Sequence, residues 1–180
     1  MADDTATDDA PVVRFRIESD MAEAAAGLVK VHVTDGYPVE GVSRPEEWLT
    51  PPGMLEAWVA EVAGRIVGHV AVGRSNGEDA VALWLRRSGG REVGTGVLAR
   101  LFVVPEARKR AVGESLVRAA VEYARSKGMR LVLDVMTKDA AAIRLYTRLG
   151  WTELGAAVHT FGEEGQTVDA LCFVSPPATN

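Results

Sequence analysis

This chain of 180 residues has little of several features that mark other classes of protein. It contains one cysteine, Cys172, so an intramolecular disulfide framework is excluded and a reducing, cytoplasmic location is expected. Its longest apolar stretch, 57–73, is interrupted by Glu61 and Arg65, so we expect no membrane span. Its net charge is −5, which argues against a general affinity for nucleic acid. The three histidines, at 32, 69 and 159, are too far apart to predict a metal site.

The length and composition predict one soluble domain. Residues 1–10 carry four aspartates among small residues and are expected to form a solvated tail, with no secretory leader. Residues 11–175 are expected to form a single domain, which is large enough to bury about two thirds of its unfolded surface. Residues 176–180 form a second short tail.

Hydrophobic periodicity predicts an α/β protein with a mixed sheet and helices on both faces. The predicted strands are 13–17, 57–62, 66–73, 97–104, 130–136, 151–160 and 168–174, and the predicted helices are 20–33, 112–126 and 139–149. Asp20 is expected to cap the first helix. Segment 34–52 is expected to be mostly loop, with room for one short helix, and 80–86 is expected to be a strand or a short helix.

The most informative segment runs from an apolar strand, through three consecutive cations, into an amphipathic helix. The predicted strand ends at Pro105, and the cations Arg108, Lys109 and Arg110 follow. Gly113 then stands at the beginning of the helix. Helix N-termini present unpaired N–H groups and a partial positive charge, and both attract anions. The junction therefore predicts a site suited to a pyrophosphate.

A second pattern lies between Asp139 and Trp151. Ala142, Leu145, Tyr146 and Leu149 share one helix face, and Gly150 follows as a terminator. Asp139 stands where a helix cap is expected.

Together these two patterns resemble the signature segments of the GNAT superfamily of acyl-CoA-dependent N-acyltransferases. In the first segment the matching positions are Arg108, Ala111 and Gly113, preceded by 103–105, with Ala111 where the family usually has glycine. In the second, Asp139 stands where the family commonly has asparagine. The resemblance covers roughly residues 12–175.

The resemblance implies a sheet whose two central strands splay apart, with the pantetheine arm of acetyl-CoA between them. The implied cofactor-binding residues are Phe102, Val103, Val104, Arg108, Lys109, Arg110, Ala111, Val112, Gly113, Glu114, Ser115 and Asp139. The implied reaction is direct transfer of the acetyl group, in a ternary complex, to the primary amine of a small molecule or peptide. Tyr146 would protonate the leaving thiolate, and a backbone N–H near Phe102 or Val103 would stabilise the oxyanion. No metal is implied, and a homodimer is left open.

The general base is not identified by this resemblance. Many members of the family carry a glutamate early on the strand that corresponds to 97–104, where this chain has Val97, Leu98 and Ala99. By rough location the candidates are Glu92, Tyr37, His32 and Asp35, and a chain of water molecules is an equal alternative. Acidic residues at 35, 40, 46 and 47 favour a cationic acceptor.

Two other functions compete with catalysis of acyl transfer. One is a non-catalytic, acyl-CoA-binding regulatory domain of the same fold. The other is a hydrolase, because Gly73, Ser75 and Gly77 fit the Gly-x-Ser-x-Gly pattern of a nucleophile elbow. That elbow requires a helix after the turn, whereas residues 76–79 predict a hairpin turn.

Overall fold

The computed structural model describes residues 10–89 and 94–179. Its strands are β1 (Val12–Phe15), β2 (Met54–Val62), β3 (Arg65–Arg74), β4 (Thr95–Val103), β5 (Arg130–Met136), β6 (Thr152–Phe161) and β7 (Gln166–Val174). Its helices are α1 (Met21–Asp35), α2 (Pro45–Leu49), α3 (Asp79–Ser88), α4 (Val112–Ser126) and α5 (Ala140–Arg148). Single 3₁₀ turns lie at Glu18–Asp20 and Pro105–Ala107.

Within the described residues, the strands form one mixed sheet in the order β1-β2-β3-β4-β5-β7-β6. Only the β4–β5 pair is parallel there, and the other pairs are antiparallel. Apolar residues of α4 pack with alternate residues of β2 to β5 on one face. On the opposite face α1 covers β2 to β4, and α3 covers β4, β5 and β7. The predicted class, with helices on both faces of a mixed sheet, is confirmed.

The two central strands separate soon after they meet. Thr95, Gly96 and Val97 of β4 pair with Arg130, Leu131 and Val132 of β5, and the pairing ends there. Farther along β4 the register with β3 shifts between His69 and Ala71, and Arg100 adopts a positive φ of 59°. A bulge of this kind bends a strand and increases its twist. The gap that the resemblance implied is therefore present between β4 and β5.

Most of the predicted elements agree with the structure, but the expected hairpin turn at 76–79 and the expected Asp20 cap were wrong. The segment after Gly73 is not a hairpin turn, because it leads into α3. Asp20 does not cap α1 with its side chain. Instead its carboxylate accepts hydrogen bonds from the Arg14 guanidinium and from the Ile17 N–H. The Asp20 carboxylate therefore binds the Arg14 guanidinium and not the start of α1. The hydrogen bond from Arg14 lowers the pKa of Asp20.

None of the helices within residues 10–89 and 94–179 is long and apolar enough to cross a membrane.

Helix α4 lies against β3 at a point where only glycine leaves enough room. A Cβ added to Gly68 would lie 2.9 Å from Leu116 Cδ1, 3.1 Å from Val112 Cγ1 and 3.1 Å from the Phe102 carbonyl oxygen. This close approach fixes the height of α4 above the sheet, and with it the position of the helix N-terminus near β4.

We expect Gly68→Ala to lower the free energy of unfolding by about 1–3 kcal/mol, because the added methyl group overpacks a filled core. Gly73→Ala, also in β3, is the matched control. Its added Cβ would lie 3.5 Å from the nearest atom, which is an ordinary contact. Urea denaturation of both variants measures the difference, and equal losses would contradict the assignment of tight packing to Gly68.

Candidate active site

A cavity of about 1040 Å³ opens where β4 and β5 separate. Most of the predicted site residues line it: Phe102, Val103, Arg108, Lys109, Ala111, Val112, Gly113, Glu114, Asp139 and Tyr146. The cavity therefore joins the start of α4 to the face of α5 through the gap in the sheet. Two sequence segments about thirty residues apart meet at one place because β4 and β5 are neighbouring parallel strands, each followed by a helix.

Three predicted residues do not line this cavity. The Val104 side chain is buried beside Gly27, and its N–H donates to the Val67 carbonyl at 2.9 Å. The Ser115 hydroxyl donates to the Ala111 carbonyl at 2.9 Å, one turn back along the chain. Arg110 is exposed on the surface.

The start of α4 has the backbone geometry of an anion site. Lys109 and Ala111 both adopt positive φ, at 65° and 57°, and Ala111 is the residue before the first helical position. Left-handed residues next to right-handed ones turn successive N–H groups toward one concave side. The first N–H groups of the helix have no partner within it. Phosphate oxygens could accept from these groups.

Arg108 connects the cavity wall to the end of α1. Its guanidinium donates to both carboxylate oxygens of Asp35 and to the Val103 carbonyl. This bidentate pair occupies the Asp35 carboxylate, and it also balances part of the Arg108 charge. Asp35 is thereby held as a structural partner, which weakens its candidacy as general base.

Glu114 links α4 to α5. Its carboxylate accepts from Arg118 at 2.7 Å, one turn along the same helix, and from Arg148 of α5 at 3.0 Å. The hydrogen bond from Arg118 lowers the pKa of Glu114. The residue therefore joins the two helices that form one wall of the cavity.

Tyr146 is held by aromatic packing with its ring almost fully buried. It is 4% exposed, and its ring centroid lies 5.3 Å from that of Trp151 and 6.2 Å from that of Phe173. Burial raises the pKa of Tyr146 far above its ordinary value, with further contributions from Tyr37 and Asp139. The phenol therefore stays protonated at neutral pH and is available as a proton donor to a group in the cavity.

Asp139 occupies the position before α5, but its side chain makes no capping hydrogen bond. The carboxylate instead lines the cavity, where burial raises its pKa. The expected capping role was therefore wrong.

The sequence matches the Acetyltransferase (GNAT) family over residues 23–151, which is more than two thirds of the chain. The chain belongs to the GNAT acetyltransferase family. Over 108 residues it is 34% identical to an uncharacterized N-acetyltransferase of Methanocaldococcus jannaschii, a match that covers 59% of this chain. The match covers 43% of that relative, so the chain spans less than half of the relative's length.

Solved structures of the GNAT fold resemble this one over nearly their whole length. The ribosomal-protein-alanine N-acetyltransferase of Brucella melitensis has a TM-score of 0.68 at 21% identity, covering 91% of this chain and 98% of that one. The yncA protein of Salmonella typhimurium, solved with its cofactor acetyl-CoA, has a TM-score of 0.64 at 21% identity and 92% coverage of both chains. At these identities the likeness establishes the fold, and the family match over residues 23–151 establishes membership of the GNAT family.

Four residues that the sequence did not assign to the site also line this cavity: Trp48, Arg100, Asp134 and His159. The guanidinium of Arg100 lies over the Trp48 ring, 4.4 Å from its centroid. Asp134 Oδ2 lies 3.9 Å from His159 Nδ1. Neither pair is close in sequence, and no motif contains them. The available signal was the polar Asp134 within the otherwise apolar segment 131–136.

The candidates for the general base differ in whether they line the cavity. Tyr37 lines the cavity, but burial raises its pKa far above the range in which a base would act at neutral pH. His32 is not among the lining residues. Glu92 lies outside the described residues. Within the described part of the chain, no group of three or more His, Cys, Asp or Glu could hold a metal ion.

A fully buried histidine braces the bulge in β4. His69 Nδ1 lies 2.9 Å from the Arg100 carbonyl oxygen, and its Nε2 lies 2.9 Å from Arg16 Nη1. Because a guanidinium only donates, Nε2 must accept and Nδ1–H must donate, which requires the neutral ring. Arg16, the residue after β1, also donates to the Leu49 carbonyl at 2.7 Å. These hydrogen bonds therefore connect the segment after β1, the end of α2, β3 and β4.

Burial lowers the pKa of His69 to about 4, and the cations Arg16 and Arg100 also act to lower it. An unfolded histidine titrates near pH 6.5, so unfolding takes up a proton between about pH 6.5 and 4. We expect stability to fall as pH decreases through this window, and His69→Gln to make that fall shallower. Urea midpoints measured at several pH values test this, and parallel curves for the two proteins would contradict it.

The left-handed backbone conformation of Ala111 leads to a further prediction. We expect Ala111→Gly to raise the free energy of unfolding by up to about 1 kcal/mol, because glycine adopts positive φ without steric cost. Ala119→Gly, in the interior of the same helix, is the control and should lower stability by about 1 kcal/mol. Thermal or urea unfolding measures whether each variant gains or loses stability. A loss of stability in both variants would contradict the backbone strain assigned to Ala111.

Proposed function

We propose that this protein transfers the acetyl group of acetyl-CoA to a primary amine of a small molecule or peptide, with both substrates bound together. The observation that carries the proposal is the single cavity through the β4–β5 gap. It has the unpaired N–H groups of the α4 start on one side and the buried Tyr146 on the other. The catalytic domain would comprise residues 11–175, in the cytoplasm.

The residues at the start of α4 fit the phosphates of acetyl-CoA. The N–H groups of Val112, Gly113 and Glu114 would hold the pyrophosphate, and Lys109 adds a cation beside them. The β4 edge beyond Val97 faces the gap without a β5 partner, so this edge is open to an extended amide-bearing arm. The bound donor supplies an activated thioester carbonyl and a thiolate leaving group.

The protein's own groups would serve two steps of the transfer. The amine nitrogen bonds to the carbonyl carbon, and the carbon–sulfur bond breaks. Tyr146 donates its phenolic proton to the departing sulfur and regains one from the amine nitrogen. A backbone N–H near Phe102 or Val103 donates to the carbonyl oxygen as negative charge develops there.

A non-catalytic acyl-CoA-binding domain is the second candidate. Ala111 favours it, because a side chain in the left-handed conformation could narrow the phosphate site. If Ala111→Gly binds acetyl-CoA more tightly than the wild type by much more than about 1 kcal/mol, Ala111 weakens the cofactor site. That result would support the non-catalytic alternative.

The proposal is tested by binding and turnover together. Acetyl-CoA should raise the melting temperature by mass action, and Gly113→Trp should abolish that rise by filling the space beside Leu145 and Val103. Release of free thiol is then followed with spermidine, kanamycin, lysine and a peptide that begins with alanine. A thermal shift without turnover of any amine favours the regulatory domain, and the absence of a shift at millimolar acetyl-CoA contradicts both candidates.

Tyr146→Phe separates catalysis from binding. It retains the ring that packs on Trp151 and removes only the hydroxyl, so we expect turnover to fall by about 100-fold, the lower end of the range for general acid–base catalysis. The acetyl-CoA thermal shift should be unchanged. Phe173→Leu, which alters ring packing but leaves the hydroxyl, is the control for a packing defect. Unchanged turnover in Tyr146→Phe would show that another donor protonates the thiolate.

A further inference from the structure

The side chain of Arg100 forms part of the cavity wall where β4 leaves β5. Arg100 is the residue of positive φ in the β4 bulge, and it lies three residues beyond Val97, where the pairing with β5 ends. Its guanidinium lies 4.4 Å from the centroid of the Trp48 ring, and both residues line the cavity. The Tyr37 ring meets the Trp48 ring edge-on, with the centroids 5.6 Å apart. Arg100 is therefore held against an aromatic wall at the point where the sheet opens.

This aromatic wall lies across the sheet from the start of α4. Tyr37 and Trp48 pack against the cluster beneath α1, whereas Val112 and Tyr146 belong to the cluster beneath α4. The helix start proposed to hold the phosphates and the proposed proton donor thus lie on one side of the gap. Arg100 lies on the other side, so an acceptor that enters opposite the donor meets it first.

The charge of Arg100 has no counterion in the part of the chain that the structure describes. No carboxylate there forms an ion pair with the half-buried Arg100, and its Nε is buried without a hydrogen-bond partner. Arg108, which lines the same cavity, is paired with Asp35. Arg148 also lines it and is paired with Glu114. Because a partly buried cation loses hydration, an anionic group on a ligand would stabilise Arg100.

The acidic loop before β2 does not balance this charge. From its sequence, the carboxylates at 35, 40, 46 and 47 favour a cationic acceptor. In the structure Asp35 is already paired, and Glu47 accepts a hydrogen bond from Arg44 at 3.1 Å. Glu46 does not line the cavity, whereas Glu40 does. The loop therefore presents less negative charge to an acceptor than its composition suggests.

The chemistry of a guanidinium favours a carboxylate as the anion. Its N–H donors lie in one plane and match the two oxygens of a carboxylate, while its face remains free to stack on a ring such as Trp48. In an α-amino acid one carbon atom separates the carboxylate from the amine. A carboxylate on Arg100 would therefore keep the amine at the gap. A polyamine or an aminoglycoside brings only positive charge to this wall, which Arg100 repels.

We propose that Arg100 binds the carboxylate of the acceptor, and that the acceptor is a free α-amino acid. This assignment rests on the proposed acetyltransferase function and names its substrate class. Arg100 is a specificity-determining residue, because it orients the α-amine toward the thioester and takes no part in proton transfer. The product, an N-acetyl amino acid, keeps its carboxylate.

Matched pairs of acceptors test this assignment. Each common L-amino acid except cysteine, whose thiol would interfere with the assay, is compared with its own α-carboxamide, which lacks the negative charge. We expect kcat/KM for the preferred amino acid to exceed that for its carboxamide by about 10- to 100-fold, the scale of a hydrogen bond to a charged group. The carboxamide has the less basic amine, which is more often neutral, so amine reactivity alone would favour the carboxamide.

Variants of Arg100 identify the residue responsible. Arg100→Gln should lower the ratio of kcat/KM for the acid to that for the amide by about 10- to 100-fold. Arg100→Lys, which keeps the charge without the planar fork, should give an intermediate ratio. The hydrogen bond from His69 goes to the Arg100 carbonyl, so both substitutions retain it. Arg144→Gln is the matched control, because Arg144 is an exposed arginine of α5 that lines the same cavity. Its ratio should match the wild type.

A second measurement does not depend on turnover. In calorimetric titrations with CoA present, the wild type should bind an amino acid of the panel more tightly than its carboxamide, and Arg100→Gln should bind the two equally. The ratios compare two ligands on one protein, so a general loss of activity cancels. The wild-type comparison remains decisive even where a variant fails to fold.

The outcomes separate this assignment from the proposed function. Equal kcat/KM for acid and amide in the wild type, or an unchanged ratio in Arg100→Gln, overturns the assignment while the acetyltransferase function stands. Acetylation of spermidine, kanamycin or the alanine peptide but of no free amino acid overturns it as well. If no amine is turned over, the proposed function fails, and the titrations alone then decide whether Arg100 binds a carboxylate.

Discussion

The separation of β4 from β5 is the constraint on which the rest of the site depends. Parallel neighbours normally hydrogen-bond along their length, yet here the pairing ends at Val97 and Val132. The backbone groups beyond that point need partners, because unpaired buried N–H and C=O groups are costly. A cavity that admits water or an extended substrate satisfies them. The gap is therefore both a cost to the fold and the opening on which the proposed acyl transfer depends.

Several structural features keep the gap open. The neutral His69 accepts from Arg16 and donates to the Arg100 carbonyl, which fixes the bulge where β4 bends. Arg108 joins the end of β4 to Asp35 at the end of α1. On the other wall, Glu114 joins α4 to α5. These polar contacts connect elements that are far apart in sequence. They hold the cavity walls in place at the edges of an apolar sheet.

The local patterns made much of the fold predictable. Helix α4 begins and ends at the predicted residues, because apolar residues at helical spacing follow the strand and meet a core already close at Gly68. Strand β5 also has the predicted bounds. Local spacing was insufficient where it fitted both a helix and a strand. Residues 80–86 have apolar residues compatible with either element, and burial of Ala80 and Val81 under the sheet selected the helix.

The sequence alone determined the family, the order of elements and the segment that begins α4, since each rests on spacing within a short stretch. It also indicated Tyr146, whose helix face follows from periodicity. Only the tertiary structure decided which charges are free and which are paired. Arg108 is paired with Asp35, and Asp134 faces the cavity beside His159. Such pairings depend on strand register and on the bend at Arg100, which bring residues from distant segments together and leave no trace in local spacing.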